Sequence, residues 1–160
     1  MTFTQHFNTY ACEGDTISCE AEGFTVTARI VADDCPDAPD QRQDGFWPSL
    51  YKDAPGFIGP GPNHRQRFAE AQAKAEAVME AWRRDEWFYC GIVLSVALEG
   101  VELENHAASL WGIEANYPDS DNAYLTDVAN ELLPEALDAG RAVLSRLAGR
   151  AATLGDGTFP

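Results

Sequence analysis

Two Glu-Gly dipeptides, Glu22-Gly23 and Glu99-Gly100, each interrupt a run of alternating apolar residues. Period-two alternation puts the apolar side chains of a strand on one face, and a two-residue turn ending in glycine reverses the chain while keeping that face common to both arms. In the first run Ile17, Cys19 and Ala21 precede the turn and Phe24, Val26, Ala28 and Ile30 follow it. This pattern predicts a hairpin over 16–32: with a two-residue turn Ala21 faces Phe24, while glutamate at the first turn position also admits a longer turn with Gly23 in the left-handed region. In the second, Ile92, Leu94, Val96 and Leu98 share one face of a strand over 87–98, with Val93 and Ala97 on the other. Apolar residues on both faces mark a central strand. Val101 and Leu103 carry the buried row past the second turn, and a further extended stretch runs from Ala107 to Ile113. Each turn lies four residues after a serine, Ser18 or Ser95, a likeness that hairpin physics explains without a duplicated unit.

Two segments change to helical period. Over 65–84, Phe68, Ala71, Ala75, Val78, Met79 and Trp82 recur at three- and four-residue spacing, Asn63 stands at the N-cap, and Glu70 precedes Lys74 by four. Over 123–147, Leu125, Val128, Ala129, Leu132, Ala136, Val143 and Leu147 form the apolar face. Ser120, Asp121 and Asn122 are its cap candidates, and Pro134 removes one backbone hydrogen bond and predicts a kink. Acids crowd the first part of this helix and Arg141, Arg146 and Arg150 its end, which complements the macrodipole. The expected fold class is α+β: an antiparallel sheet of four to five strands, built from two hairpins, with two main helices packed on one face. A chain of 160 residues supports one such domain, over 1–154, followed by a loose tail at 155–160.

Residues 33–64 interrupt this order. They hold six of the nine prolines and four glycines, together with Phe46, Trp47, Leu50, Tyr51, Phe57 and Ile58. Aromatic residues are costly to leave in water, so a segment of this kind either covers an open end of the core or presents anchors, Trp47 and Tyr51 foremost, to a partner.

Charge narrows the function classes. With 11 Lys and Arg against 26 Asp and Glu the net charge is −15, and a surface this acidic repels phosphates, which argues against nucleic acid or an anionic membrane as direct partner. No apolar run approaches the ~18 residues of a spanning helix, and the start, MTFTQHFNTYACEGD, lacks the basic and apolar regions of an export signal. A cytoplasmic location follows as the expectation, with Cys12, Cys19, Cys35 and Cys90 reduced. Cys19 and Cys90 fall on apolar phases and read as small buried residues. The four cysteines lack the paired spacing of a zinc site, and a site formed by Cys12, Cys35 and His6 meeting in space is the less favoured reading. Phosphate-loop, dinucleotide, nucleophile-elbow and metalloprotease motifs are all absent. A Cys90–His106 thiolate–imidazole pair is outweighed by a core thiol beside an edge histidine. The reading is therefore of no enzyme, no catalytic residue, no metal and no cofactor.

One feature exceeds the background. From Asp85 to Gly140, 56 residues, there is no Lys or Arg, whereas 12 acids occur. Glu102, Glu104, Glu114, Asp119, Asp121, Asp127, Glu131, Glu135 and Asp138 are the candidate partner-binding acids, beside Trp47 and Tyr51 in the aromatic loop. Asp127, Glu131, Glu135 and Asp138 recur at helical spacing, which forms a carboxylate row at ~6 Å intervals. Such a row either keeps the protein dispersed or imitates the phosphates of a duplex and occupies a basic channel on another protein.

The landmarks AWRRDEWFYCGIVLSV and ASLWGIEANYPDSDNAYLTDVANELLPEAL, preceded by KDAPG at 52–56, resemble small acidic proteins encoded by bacteriophages, prophages and plasmids. In those, W-x-x-D-E-W-x-Y is followed by S-L-W-G-I-E and Y-L-x-x-V-A-x-E-L. The resemblance covers the C-terminal half plus KDAPG and carries over no catalytic residue. It implies a mobile-element accessory protein in the host bacterial cytoplasm, of the kind that inhibits host defence as anti-CRISPR or anti-restriction proteins do. The partner would be a host protein or complex with a basic nucleic-acid-binding surface, and a homodimer is compatible with the reading. The alternative is a structural or regulatory binding module of the element, whose acidity serves only solubility.

Overall fold

The computed structural model describes residues 2–34, 37–42 and 57–155. Cys35, Phe46, Trp47, Leu50, Tyr51 and the KDAPG sequence lie outside the described residues, so the aromatic-loop reading has no structural counterpart among them.

Among the described residues the order is β1 (Thr16–Ala21), β2 (Phe24–Ala32), α1 (His64–Arg83), β3 (Phe88–Leu98), β4 (Val101–Ala115) and α2 (Ala123–Gly155). The four strands form one antiparallel sheet in sequence order, β1-β2-β3-β4, and the fold is α+β. Ala21 does face Phe24. At both hairpin turns the two central residues have positive φ, 53° and 84° at Glu22-Gly23 and 49° and 81° at Glu99-Gly100. That is the left-handed pair whose twist matches two right-twisted strands, and glycine supplies the second position at no steric cost. The stretches expected over 101–103 and 107–113 are one strand, β4, whose register against β3 shifts three times, between Cys90 and Ile92, between Leu94 and Val96 and between Val96 and Ala97, and Val101, expected in the buried row, is 64% exposed beside the turn.

Helix α2 covers one face of this sheet, packing most closely on β4 and β3 and reaching β2. Val26, Ala28, Ile30, Cys90, Ile92, Leu94 and Val96 rise from the sheet to meet Leu125, Ala129, Leu133, Ala136 and Leu137. Gly140 lets the two layers approach closely, since a Cβ there would lie 3.0 Å from Val96 and 3.2 Å from Phe24. The apolar stripe of α2 therefore differs from the expected one. Leu133 and Leu137 are buried, Val128 and Leu132 are half-buried on its flank, and Leu147 is 49% exposed. The helix also continues eight residues beyond the expected end at 147, through Gly155, with Pro134 on its exposed side. At α1, Ala75, Val78 and Met79 are buried and Phe68 is exposed. Val78 packs with Trp87 and Tyr89 at the entry to β3, where the Trp87 indole N–H donates to the Val78 carbonyl at 2.9 Å.

The N-terminal residues form a strap that the hydrophobic pattern does not announce. Phe3, Phe7 and Ala11, four residues apart, are buried in the main core. Their backbone N–H groups donate to side chains: Phe3 to Asn130 at 2.7 Å, Phe7 to Thr126 at 3.1 Å and Ala11 to Asn116 at 2.7 Å. An extended segment without a strand partner has to satisfy its amides in this way.

Candidate functional site

The acids singled out by sequence do not form one surface. Asp127, Glu131, Glu135 and Asp138 are all exposed and lie along α2 opposite its buried stripe, because residues three and four apart stack on one side of a helix. Glu102 pairs with Ala97, on the pleat opposite Val96, so it points away from the side that α2 covers. Glu104, on the same edge strand, is half-buried and accepts the His106 backbone N–H at 3.4 Å.

Three further acids have local roles. Asp121 accepts the Ala123 N–H at 2.9 Å and so caps the start of α2, while the neighbouring Ser120 hydroxyl takes the Asn122 N–H at 3.1 Å. Asp119, at φ 66°, lies in the turn before the helix and lines a groove of about 480 Å³ with Lys74, Val78, Glu86 and Tyr117. Glu114 is half-buried and borders a small pocket of about 160 Å³ with Tyr117, Ser120 and Tyr124. Burial raises the Tyr117 and Tyr124 hydroxyls above the ordinary tyrosine range, and the Glu114 carboxylate adds to both shifts.

Within the α2 row, Asp138 is ion-paired. Arg141 bridges it to Glu22 of the first hairpin turn, and the hydrogen bond to Asp138 is the main cause that raises the Arg141 guanidinium further. Asp127, Glu131 and Glu135 make no ion pair among the described residues. They form an open, rigidly mounted carboxylate row, since the opposite side of the same turns is anchored in the core.

The row stands on a polar hub that the sequence pattern does not show. Asn122 is fully buried at the start of α2, with φ 63°. Its side-chain oxygen accepts the Asn116 N–H at 2.9 Å, and its amide donates to Asn116 Oδ1 at 2.8 Å and to the Thr9 carbonyl at 3.0 Å. Asn116 also grips Ala11 through both backbone groups, at 2.7 and 2.8 Å. Asn122 was expected as a cap. Its side chain instead turns inward and ties β4, α2 and the strap together.

For catalysis, Cys90 is buried on the α2 side of β3, whereas His106 is exposed and shares a hydrogen bond with the Ser109 hydroxyl at 2.9 Å. Burial, reinforced by Asp33 and Glu114, pushes the Cys90 thiol up to about 12, the opposite of what a nucleophile needs. Among the described residues no three His, Cys, Asp or Glu side chains gather as a metal set, and no helix is long and apolar enough to cross a membrane. Compared with protein-family models, curated proteins and solved structures, the chain matches none.

Proposed function

We propose that this protein is a binding protein, not an enzyme, and that it inhibits a nucleic-acid-handling protein by docking the outer row of α2 onto that protein's basic surface. The observation that carries the reading is the row itself: Asp127, Glu131 and Glu135 are exposed, evenly spaced and unneutralised within the described chain. A duplex presents one charge per ~1.7 Å of axis, so three carboxylates at ~6 Å spacing stand in for a few phosphates and not for a whole groove. The net charge of −15 supplies what the row lacks, a long-range field that steers the protein toward a cationic site. The resemblance to acidic phage, prophage and plasmid proteins supplies the setting: an accessory protein of a mobile element acting on a host defence complex of the CRISPR or restriction type.

The test is capture of partners from bacterial lysate at low and high salt, with the native chain and with Asp127, Glu131 and Glu135 all changed to lysine. Screening shortens the Debye length from ~10 Å at 0.1 M to ~3 Å at 1 M, so capture through the row fades across that range. The triple reversal abolishes it while circular dichroism stays unchanged. Capture that withstands both, and is lost on replacing Trp47 and Tyr51 by alanine, assigns binding to the aromatic loop.

A further inference from the structure

The sheet face turned away from α2 carries an aromatic platform between two arginines. Along β3 the positions on that face are Tyr89, Gly91 and Val93, in steps of ~7 Å, because Cys90 and Ile92 point into the core. Trp111 of β4 lies over the middle one. A Cβ at Gly91 would meet three consecutive atoms of its ring between 2.4 and 2.7 Å away, so nearly equidistant that the ring lies flat on the strand. Its other face is turned outward, and the residue is 43% exposed. The indole N–H donates to the Ser109 hydroxyl at 3.2 Å, which also bonds His106 Nε2 at 2.9 Å, so the platform is held in place.

Arg29 stands on one side of it. Arg29 pairs with Val93 in the rung that continues to Ser109, and it is the only Lys or Arg on the four strands. Half-buried, it donates to the Asn105 carbonyl at 3.0 Å. Arg42 stands on the other side, its guanidinium 4.2 Å from the centre of the Tyr89 ring and 3.1 Å from where a Cβ of Gly112 would lie. Neither arginine makes an ion pair among the described residues, which is anomalous in a chain of net charge −15. The acids of this face lie off the platform. Glu20 and Glu102 belong to the rung of Thr25 and Ala97, ~13 Å along β3 from Val93, and Asp33 accepts the Gly112 N–H at 3.2 Å.

We propose that this face binds a nucleoside monophosphate, whose base stacks on Trp111 and whose phosphate takes the Arg29 guanidinium. A flat, outward indole face selects a planar ring, and the fork of a guanidinium matches the oxygens of a phosphate. Arg42, on the opposite edge of the platform, offers donors to the acceptor atoms of the base. The net charge of −15 repels a polyanion at every phosphate beyond the platform, whereas a mononucleotide places its one phosphate beside Arg29. The site lies across the sheet from α2 and its acidic row, so it stands independently of the partner proposed above.

The experiment is calorimetric titration of the full chain with adenosine monophosphate, adenosine and inorganic phosphate, at ~0.15 M salt, where a Debye length of ~8 Å screens the remote acids. The native chain binds the monophosphate about 10-fold or more tightly than adenosine or phosphate. Arg29→Gln brings the monophosphate down to the affinity of adenosine and leaves adenosine unchanged. Trp111→Ala weakens both by about 10-fold or more, the share of one stacked base. Trp111→Phe keeps an aromatic face and retains most of the binding, and circular dichroism checks that each variant folds. No binding at millimolar monophosphate, phosphate as tight as the monophosphate, or an Arg29→Gln chain that binds as the native one does overturns the proposal. So does a short single-stranded oligonucleotide that outbinds the monophosphate, which would assign the face to nucleic acid.

Discussion

Asn122 and Asn116 hold each other by two reciprocal hydrogen bonds, one through the Asn116 backbone N–H and one between their side chains. The pair is the joint where the strap, the end of β4 and the start of α2 meet. Asn122→Ala leaves the Thr9 carbonyl and both Asn116 groups short of partners, and puts alanine at positive φ. Its expected cost is about 2–3 kcal/mol, read from urea unfolding. A cost below ~0.5 kcal/mol would mean that water replaces the amide and that the hub is not structural.

Gly91 and Trp111 form a second joint, on the sheet face away from α2. A Cβ at Gly91 would lie 2.4 Å from the indole ring of Trp111. Gly91→Ala therefore has to expel a ring that is 43% exposed already, with an expected loss of about 1–3 kcal/mol. Trp111→Ala made in the same chain removes the obstacle, so the double variant is more stable than the sum of the singles predicts. Simple additivity would show that the ring moves aside freely.

The Cys90 thiol gives a pH signature. Its ordinary value of 9.0 is raised to about 12 by burial, with Asp33 and Glu114 adding to the shift. The folded chain therefore holds this proton over a range in which the unfolded chain has lost it. The stabilisation is complete below about 9 and falls as pH rises toward 12, by up to ~1.4 kcal/mol per pH unit. Unfolding of the native chain and of Cys90→Ala, followed from pH 8 to 11, is expected to show a steeper alkaline decline for the native chain. Parallel declines would place the thiol in contact with solvent. The same burial leaves exposed Cys12 to react with a thiol reagent before Cys90 does.

Both hairpin turns and the register of the first hairpin were legible because turn chemistry and period-two burial act within a few residues of each other; past the second turn the expected buried row fails, since register shifts interrupt β4 and Val101 is 64% exposed. The exposure of the acidic row was legible for the same reason, as four residues at helical spacing have one side to share. The strap was not. Phe3, Phe7 and Ala11 obey no strand period, and their amides are satisfied by Asn130, Thr126 and Asn116, more than 100 residues away. Four-residue spacing of apolar residues in an otherwise polar start was the available signal. The last two turns of α2 were missed because residues 148–155 are exposed and give no buried periodicity to read. Only the intrinsic propensity of their alanines, Arg150 and Leu154 favours helix. Leu133 and Leu137 displaced Leu132 and Leu147 from the core because α2 is set on the sheet by the close approach at Gly140, which a periodic pattern does not contain.

The central claim is that the outer row of α2 occupies a site built for nucleic acid, and competition measures it most directly. The immobilised protein captures its partner from bacterial lysate at low salt, and short duplex DNA is then added. The account predicts that the captured protein is a nucleic-acid-handling one, that duplex DNA releases it, and that the Asp127, Glu131 and Glu135 lysine variant never captures it. A partner that stays bound at saturating DNA, or that the lysine variant captures as well as the native chain does, would contradict it.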